Sequence, residues 1–195
     1  MAGKRRSLEG WRWATRAAYG FGISAIAANL VMVYALVTHD FSVGYVAEVG
    51  SRSTPVYYTV ISLWASLNGS ILFWAGVLGV YVTWFTWSHR DQHREYMPYT
   101  LGVLLVICVF FSILVATIAN PFAAVFPVPL DGPGPNPLLQ NHWLMAFHPP
   151  TLYLGYVGMV VPYAMACGAL LAGRLDAGWM APLRRWTLLA WSFLT

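Results

Sequence analysis

Hydrophobic and polar positions along this chain are segregated into long blocks. Four runs, Ala17–Thr38, Ser53–Ser88, Tyr96–Leu130 and Gly132–Gly173, contain no Asp, Glu, Lys or Arg. Each is long enough for the ~20 residues that a helix needs to cross a bilayer. Within them the pattern predicts spans at roughly Ala17–Val37, Asn68–Trp87, Tyr99–Ala119 and Pro149–Ala172. Trp186–Thr195 starts a fifth apolar helix, but its 10 residues rise only about 15 Å, half of a ~30 Å hydrocarbon core. The expected fold is therefore all-α: a polytopic transmembrane helix bundle of four complete spans plus the start of a fifth, in one domain over residues 1–195. A stop in mid-membrane makes a fragment of a longer polypeptide the expectation.

Composition strengthens the membrane reading. The chain is 58% hydrophobic and 9% charged, against about 25% charged in an ordinary soluble domain. A secretory signal peptide is the rival reading of the first apolar run. That run is too long for an h-region, and Val37-Thr38-His39-Asp40 offers no small-residue cleavage site.

Charge sets the expected orientation. Lys4, Arg5, Arg6, Arg12 and Arg16 precede the first span, Arg90 and Arg94 follow the second, and Arg174, Arg184 and Arg185 follow the fourth, leaving only Arg52 on the other side. The positive-inside bias then puts the N-terminus in the cytoplasm and segments of about 39–66 and 120–147 on the outer face of the membrane, which for a bacterial inner membrane is the periplasmic face. The net charge of +4 follows from that topology and gives no reason to expect nucleic acid.

The outer segments differ in character. Ser53-Thr54-Pro55 signals a helix start, and Val56–Leu67 reads either as a short interfacial helix bearing Tyr57, Tyr58 and Trp64 or as an outward extension of the second span. The second outer segment, with Pro121, Pro127, Pro129, Pro133, Pro135 and Pro137, reads as irregular but ordered. Its Phe122, Val125, Phe126 and Leu130 are expected to pack against the membrane face.

Candidate chemistry concentrates in Asn136–Gly158, NPLLQNHWLMAFHPPTLYLGYVG. Proline suits a first helical turn, so Pro149-Pro150 predicts a helix start with His148 at its mouth. Two readings of His148 stand: a metal ligand offering a neutral imidazole, or a helix-start histidine hydrogen-bonded to a loop carbonyl. His142 beside Trp143 reads as an interfacial pair or as a pocket residue. Asn136, Gln140 and Asn141 are expected to satisfy backbone groups of the bent loop and so position His148.

Elsewhere, His89 and His93 have i, i+4 spacing but read as a solvated turn beside Arg90 and Arg94. Cys108 and Cys167 read as two buried small hydrophobes, and His39-Asp40 as an anchor ending the first span. Gly76, Gly79, Gly155, Gly158 and Gly168 read as close helix contacts. No phosphate loop, nucleophile triad or general acid–base pair is recognisable.

The stretch from Asn136 to Gly158, followed by Gly173–Asp176 and Arg185–Thr195, resembles the N-terminal half of the CcmF family of cytochrome c-type biogenesis proteins, which are tryptophan-rich, haem-handling membrane proteins. His39–Ala47, Ser62–Trp74 and Asn120-Pro121-Phe122 resemble further family segments. The resemblance implies a haem lyase component that receives b-type haem as substrate from the haem chaperone CcmE. It then presents the haem to the Cys-x-x-Cys-His motif of apocytochrome c, alongside other maturation subunits such as CcmH. It implies that His148 is one axial ligand, its neighbours Pro149, Pro150, Tyr153, Trp143 and His142 supporting the haem pocket. The second ligand, the Trp-rich segment and any second haem belong to later family sequence. Ala65 stands where the family usually has Gly, Asn68 stands where it usually has Glu, and a leading span usual in the family has no counterpart. The same superfamily also offers a haem exporter or delivery protein, and a membrane subunit without haem chemistry is a third reading.

Overall fold

The computed structural model describes residues 2–90, 95–139, 143–173 and 177–195. Eight α-helices form among the described residues: α1 Ala2–Val37, α2 Gly44–Val49, α3 Val56–Ile61, α4 Leu67–Ser88, α5 Met97–Ala116, α6 Leu144–Gly158, α7 Val160–Leu171 and α8 Met180–Ser192. Four stretches, Glu9–Val37, Leu67–Ser88, Met97–Ala116 and Leu144–Leu171, are long and apolar enough to cross a membrane. The expected all-α, multi-span architecture is present.

Several boundaries move, for physical reasons. Helix α1 begins far ahead of the first expected span, because the basic, Trp- and Ala-containing segment before Ala17 favours helix and no proline interrupts it. It ends in a Schellman motif: His39 has φ +53°, its N–H donates to the Leu36 carbonyl at 3.2 Å, and the Asp40 N–H donates to Ala35 at 3.0 Å. Between α3 and α4 the chain makes a 3₁₀ turn at Ser62–Trp64, so Val56–Ile61 is a separate short helix and not an extension of the second span. The fourth span is interrupted at Met159, between α6 and α7, where Pro162 supplies no N–H for the Gly158 carbonyl. Helix α8 starts at Met180 and not at Trp186, because Pro182 fits its first turn and the helix takes in Arg184 and Arg185.

The chain divides into two compact units. The first comprises residues 1–24, 77–110 and 152–195. Its helices meet at glycines, as expected of membrane helices that gain contact by close backbone approach. A Cβ on Gly168 would lie 2.7 Å from the Thr100 nitrogen, one on Gly158 2.8 Å from the Tyr81 hydroxyl, and one on Gly155 would collide with the Leu194 side chain. The Gly79 carbonyl faces Gly22 in the same way. Tyr81 donates to the Leu154 carbonyl at 2.9 Å. Cys108 is buried and Cys167 half-buried, both free thiols. His89 departs from its solvated-turn expectation: it is 8% exposed, stacked on Phe85 at 4.6 Å, because helix α4 continues to Ser88 and carries the ring inward. His93 lies outside the described residues.

The second unit comprises residues 25–76 and 111–151. Its core gathers Met32, Leu36, Phe41, Tyr45, Val46, Leu63 and Leu72, with Phe122 packed against it. Asn29 donates to the carbonyls of Ala25 at 2.9 Å and Leu72 at 3.0 Å, a polar link from α1 to α4 beside Gly76. The buried Tyr45 hydroxyl donates to Ser62 at 2.7 Å and accepts from the Ser66 N–H at 3.2 Å, locking the 3₁₀ turn. Residues 39–66 are thus mostly helical and compact; α2, six residues bracketed by Val43 and Gly50, has too little periodicity to be read from sequence.

The proline-rich segment is ordered without helix. Gly44 donates to Ala123 at 2.6 Å and Val125 to Ser42 at 3.0 Å, forming a bridge between Val43 and Ala124. Farther on, Asp131 accepts from the N–H groups of Arg52 and Gly132, each at 2.9 Å, and Arg52 Nε reaches the Leu130 carbonyl at 3.2 Å. The Arg52 N–H holds the Asp131 carboxyl below the usual carboxylate range, with smaller help from Gly132, Ser51 and the Arg52 charge against its partial desolvation. Phe126 and Leu130 remain outside the protein core, both more than nine-tenths exposed.

Candidate functional site

His148 is not at a helix mouth. Helix α6 begins at Leu144, four residues earlier, and Pro149 and Pro150 lie inside it. The turn ahead of the prolines is supported by Trp143 and Phe147, which meet edge-to-face at 6.0 Å across an i, i+4 step.

The prolines have a definite consequence. Without N–H groups, Pro149 and Pro150 cannot bond the carbonyls of Met145 and Ala146. The Met145 carbonyl instead accepts the indole N–H of Trp64, at 3.4 Å. Trp64 is itself held against Phe73, with ring centroids 5.4 Å apart. Thr151 adds a bond from its hydroxyl to the His148 carbonyl at 2.8 Å. The turn bearing His148 is therefore fastened both from outside its helix, by Trp64, and within it, by Thr151.

Leu144, Phe147, His148 and Thr151 are all exposed and recur at the i, i+3, i+4, i+7 spacing of a single helix face. Trp143, 69% exposed, and Phe147, 62% exposed, give it aromatic surface. Among the described residues the His148 ring makes no hydrogen bond, so the alternative of a ring occupied by a loop carbonyl finds no partner there. Nor do three or more His, Cys, Asp or Glu side chains converge among the described residues. The face offers one imidazole in an apolar and aromatic surround, which suits one axial bond to a flat, largely apolar metallated ring.

Other expected site residues fall in different places. Pro149 and Pro150 are half-buried beside the exposed face, and Tyr153 is half-buried one turn on. Asn136 accepts the Leu138 N–H at 3.0 Å, satisfying loop backbone as expected. Gln140, Asn141 and His142 lie outside the described residues. The sequence pattern marks Trp64 only as an interface aromatic, and its part in the site comes from the fold. A signal for it exists in the proline pair itself, since two prolines inside a helix leave two carbonyls seeking donors elsewhere.

Residues 64–195 match the model of a family described as cytochrome C assembly protein. The chain is 38% identical over 178 residues to the cytochrome c-type biogenesis protein CcmF of Haemophilus influenzae, covering 91% of this chain and 27% of that one. It is 41% identical over 164 residues to CcmF of Pseudomonas fluorescens, covering 84% and 25%. A solved structure titled cytochrome c heme lyase CcmF superposes with a TM-score of 0.72 at 33% identity, over 96% of this chain and 33% of that one. The chain thus spans about a quarter of the length of these curated relatives.

Proposed function

The chain belongs to the cytochrome C assembly protein family, and from that premise we propose that it takes part in cytochrome c maturation as the haem-receiving portion of a haem lyase. In this reading haem is the substrate and is delivered by the chaperone CcmE at the outer membrane face. His148 takes one axial position of the iron, and the second ligand comes from elsewhere in the complete protein. The observation that carries the reading is the exposed stripe of Trp143, Leu144, Phe147 and His148, whose turn is fastened by Trp64.

The chemistry needed is modest. Each cysteine thiol of the apocytochrome adds across a vinyl group: sulfur bonds one vinyl carbon and the proton goes to the other, with no net oxidation. The chain's contribution is then to hold the ring in one orientation while the vinyl edge stays open to the incoming thiols. The propionates face water, and the apolar face of α6 excludes it from one side of the ring.

The test is the visible absorption spectrum of the full-length parent protein, purified in detergent after co-expression with its haem chaperone, wild type against His148→Ala. The variant is expected to lose at least about tenfold of this haem, as loss of a metal's protein ligand or of its support usually costs. Unchanged haem content and an unchanged spectrum would remove His148 from the role.

A further inference from the structure

The first unit carries ten of the eleven Lys and Arg against four of the seven Asp and Glu, a net charge of +6, while the second has one cation against three carboxylates. Within the first unit a cleft of about 630 Å³ lies between the end of α4 and the start of α8. Its walls are aromatic: Trp84 and Trp186 meet edge-to-face at 4.8 Å, and Leu189 extends the apolar surface.

Two features make this cleft attractive to an anion. Arg185 lines it, is exposed, and makes no hydrogen bond or ion pair among the described residues. The first turn of α8 also borders it, through Ala181 and Pro182, and that end has no side-chain cap. A guanidinium matches phosphate oxygens in two parallel hydrogen bonds, and a helix start adds the positive end of its dipole. The indole walls would desolvate a bare anion without compensation, but they suit one with an apolar body attached. In a chain whose helices cross a membrane, the ligand class that combines both is an anionic phospholipid.

We propose that this cleft binds the phosphate-bearing headgroup of an anionic phospholipid, with Arg185 and the start of α8 on the phosphate and Trp84 and Trp186 against the glycerol and the first acyl carbons. The lipid so held would tie the end of the second span to the start of the fifth helix.

The experiment is native mass spectrometry of the full-length protein, delipidated in detergent and titrated separately with phosphatidylglycerol, phosphatidylcholine and inorganic phosphate. Phosphatidylglycerol is expected to be retained at about fivefold lower concentration than phosphatidylcholine, the preference that one cation near a lipid phosphate confers. Arg185→Gln should erase that preference, whereas Arg184→Gln, an exposed neighbour outside the cleft, should keep it. Because both side chains are exposed, neither change threatens the fold. Equal retention of the two lipids, or equal loss in both variants, would overturn the proposal. Displacement of the lipid by millimolar inorganic phosphate would overturn the lipid assignment and identify free phosphate as the ligand.

Discussion

At the scale of single residues, two side chains carry contributions that substitution can separate. His39 occupies a left-handed conformation at φ +53°, which costs an L-residue about 1–2 kcal/mol, while its Nε2 lies 3.2 Å from the Ser51 carbonyl. Glycine removes the backbone cost and forfeits a contact of about 1 kcal/mol. His39→Gly is therefore expected to leave the detergent unfolding midpoint nearly unchanged, and His39→Ala, which keeps the cost and loses the contact, to lower stability by about 1 kcal/mol. Asp131 behaves differently, because its effect depends on pH. Its carboxyl is held below the usual range chiefly by the Arg52 N–H. A depressed folded-state value gives stabilisation that is complete above the unfolded carboxylate value and disappears as pH falls through the folded one. Unfolding curves of the parent protein should thus show a loss of stability in the acid range that Asp131→Asn reduces. An unaltered acid limb in the variant would exclude this carboxylate.

At the scale of elements, the instructive pair is α6 and the 3₁₀ turn ahead of α4. The Met145 carbonyl, which Pro149 has no N–H to bond, accepts the Trp64 indole. Trp64→Phe in the wild-type background leaves that carbonyl without its donor, costing about 1–3 kcal/mol. In a Pro149→Ala background the helix supplies its own N–H, and the same change should cost little. A double-mutant cycle on the unfolding midpoint is expected to yield a coupling of about 1 kcal/mol or more between positions 64 and 149. Additivity would show that the indole contributes nothing to fastening the His148 turn. The glycine contacts belong to this scale too: Gly76, Gly155, Gly158 and Gly168 were legible as helix contacts because small residues inside apolar runs have little other use there. Which partner each meets, such as Thr100 for Gly168, was not.

At the scale of the whole molecule, the distribution of charge predicts the sidedness of the chain. In a cysteine-free full-length protein, Gly10→Cys is expected to resist a membrane-impermeant maleimide in intact cells, while Phe126→Cys, 94% exposed in the proline-rich segment, should be labelled. The reverse pattern would put His148 on the wrong side for a haem delivered at the outer face. What the sequence determined by itself was what depends on local composition and spacing: the membrane class, the presence of four spans though not where the first begins, and the stretch in which His148 lies. Hydrocarbon has no water to satisfy a backbone, so a charge-free run of sufficient length has little choice but helix. Tertiary structure decided the rest. It turned His89 inward against Phe85, set Pro149 and Pro150 inside a helix, and brought the Trp64 indole to the carbonyl they left bare. The last of these depends on residues far apart in the chain, and a hydrogen-bond donor 81 positions from its acceptor leaves no periodicity for a sequence pattern to reveal.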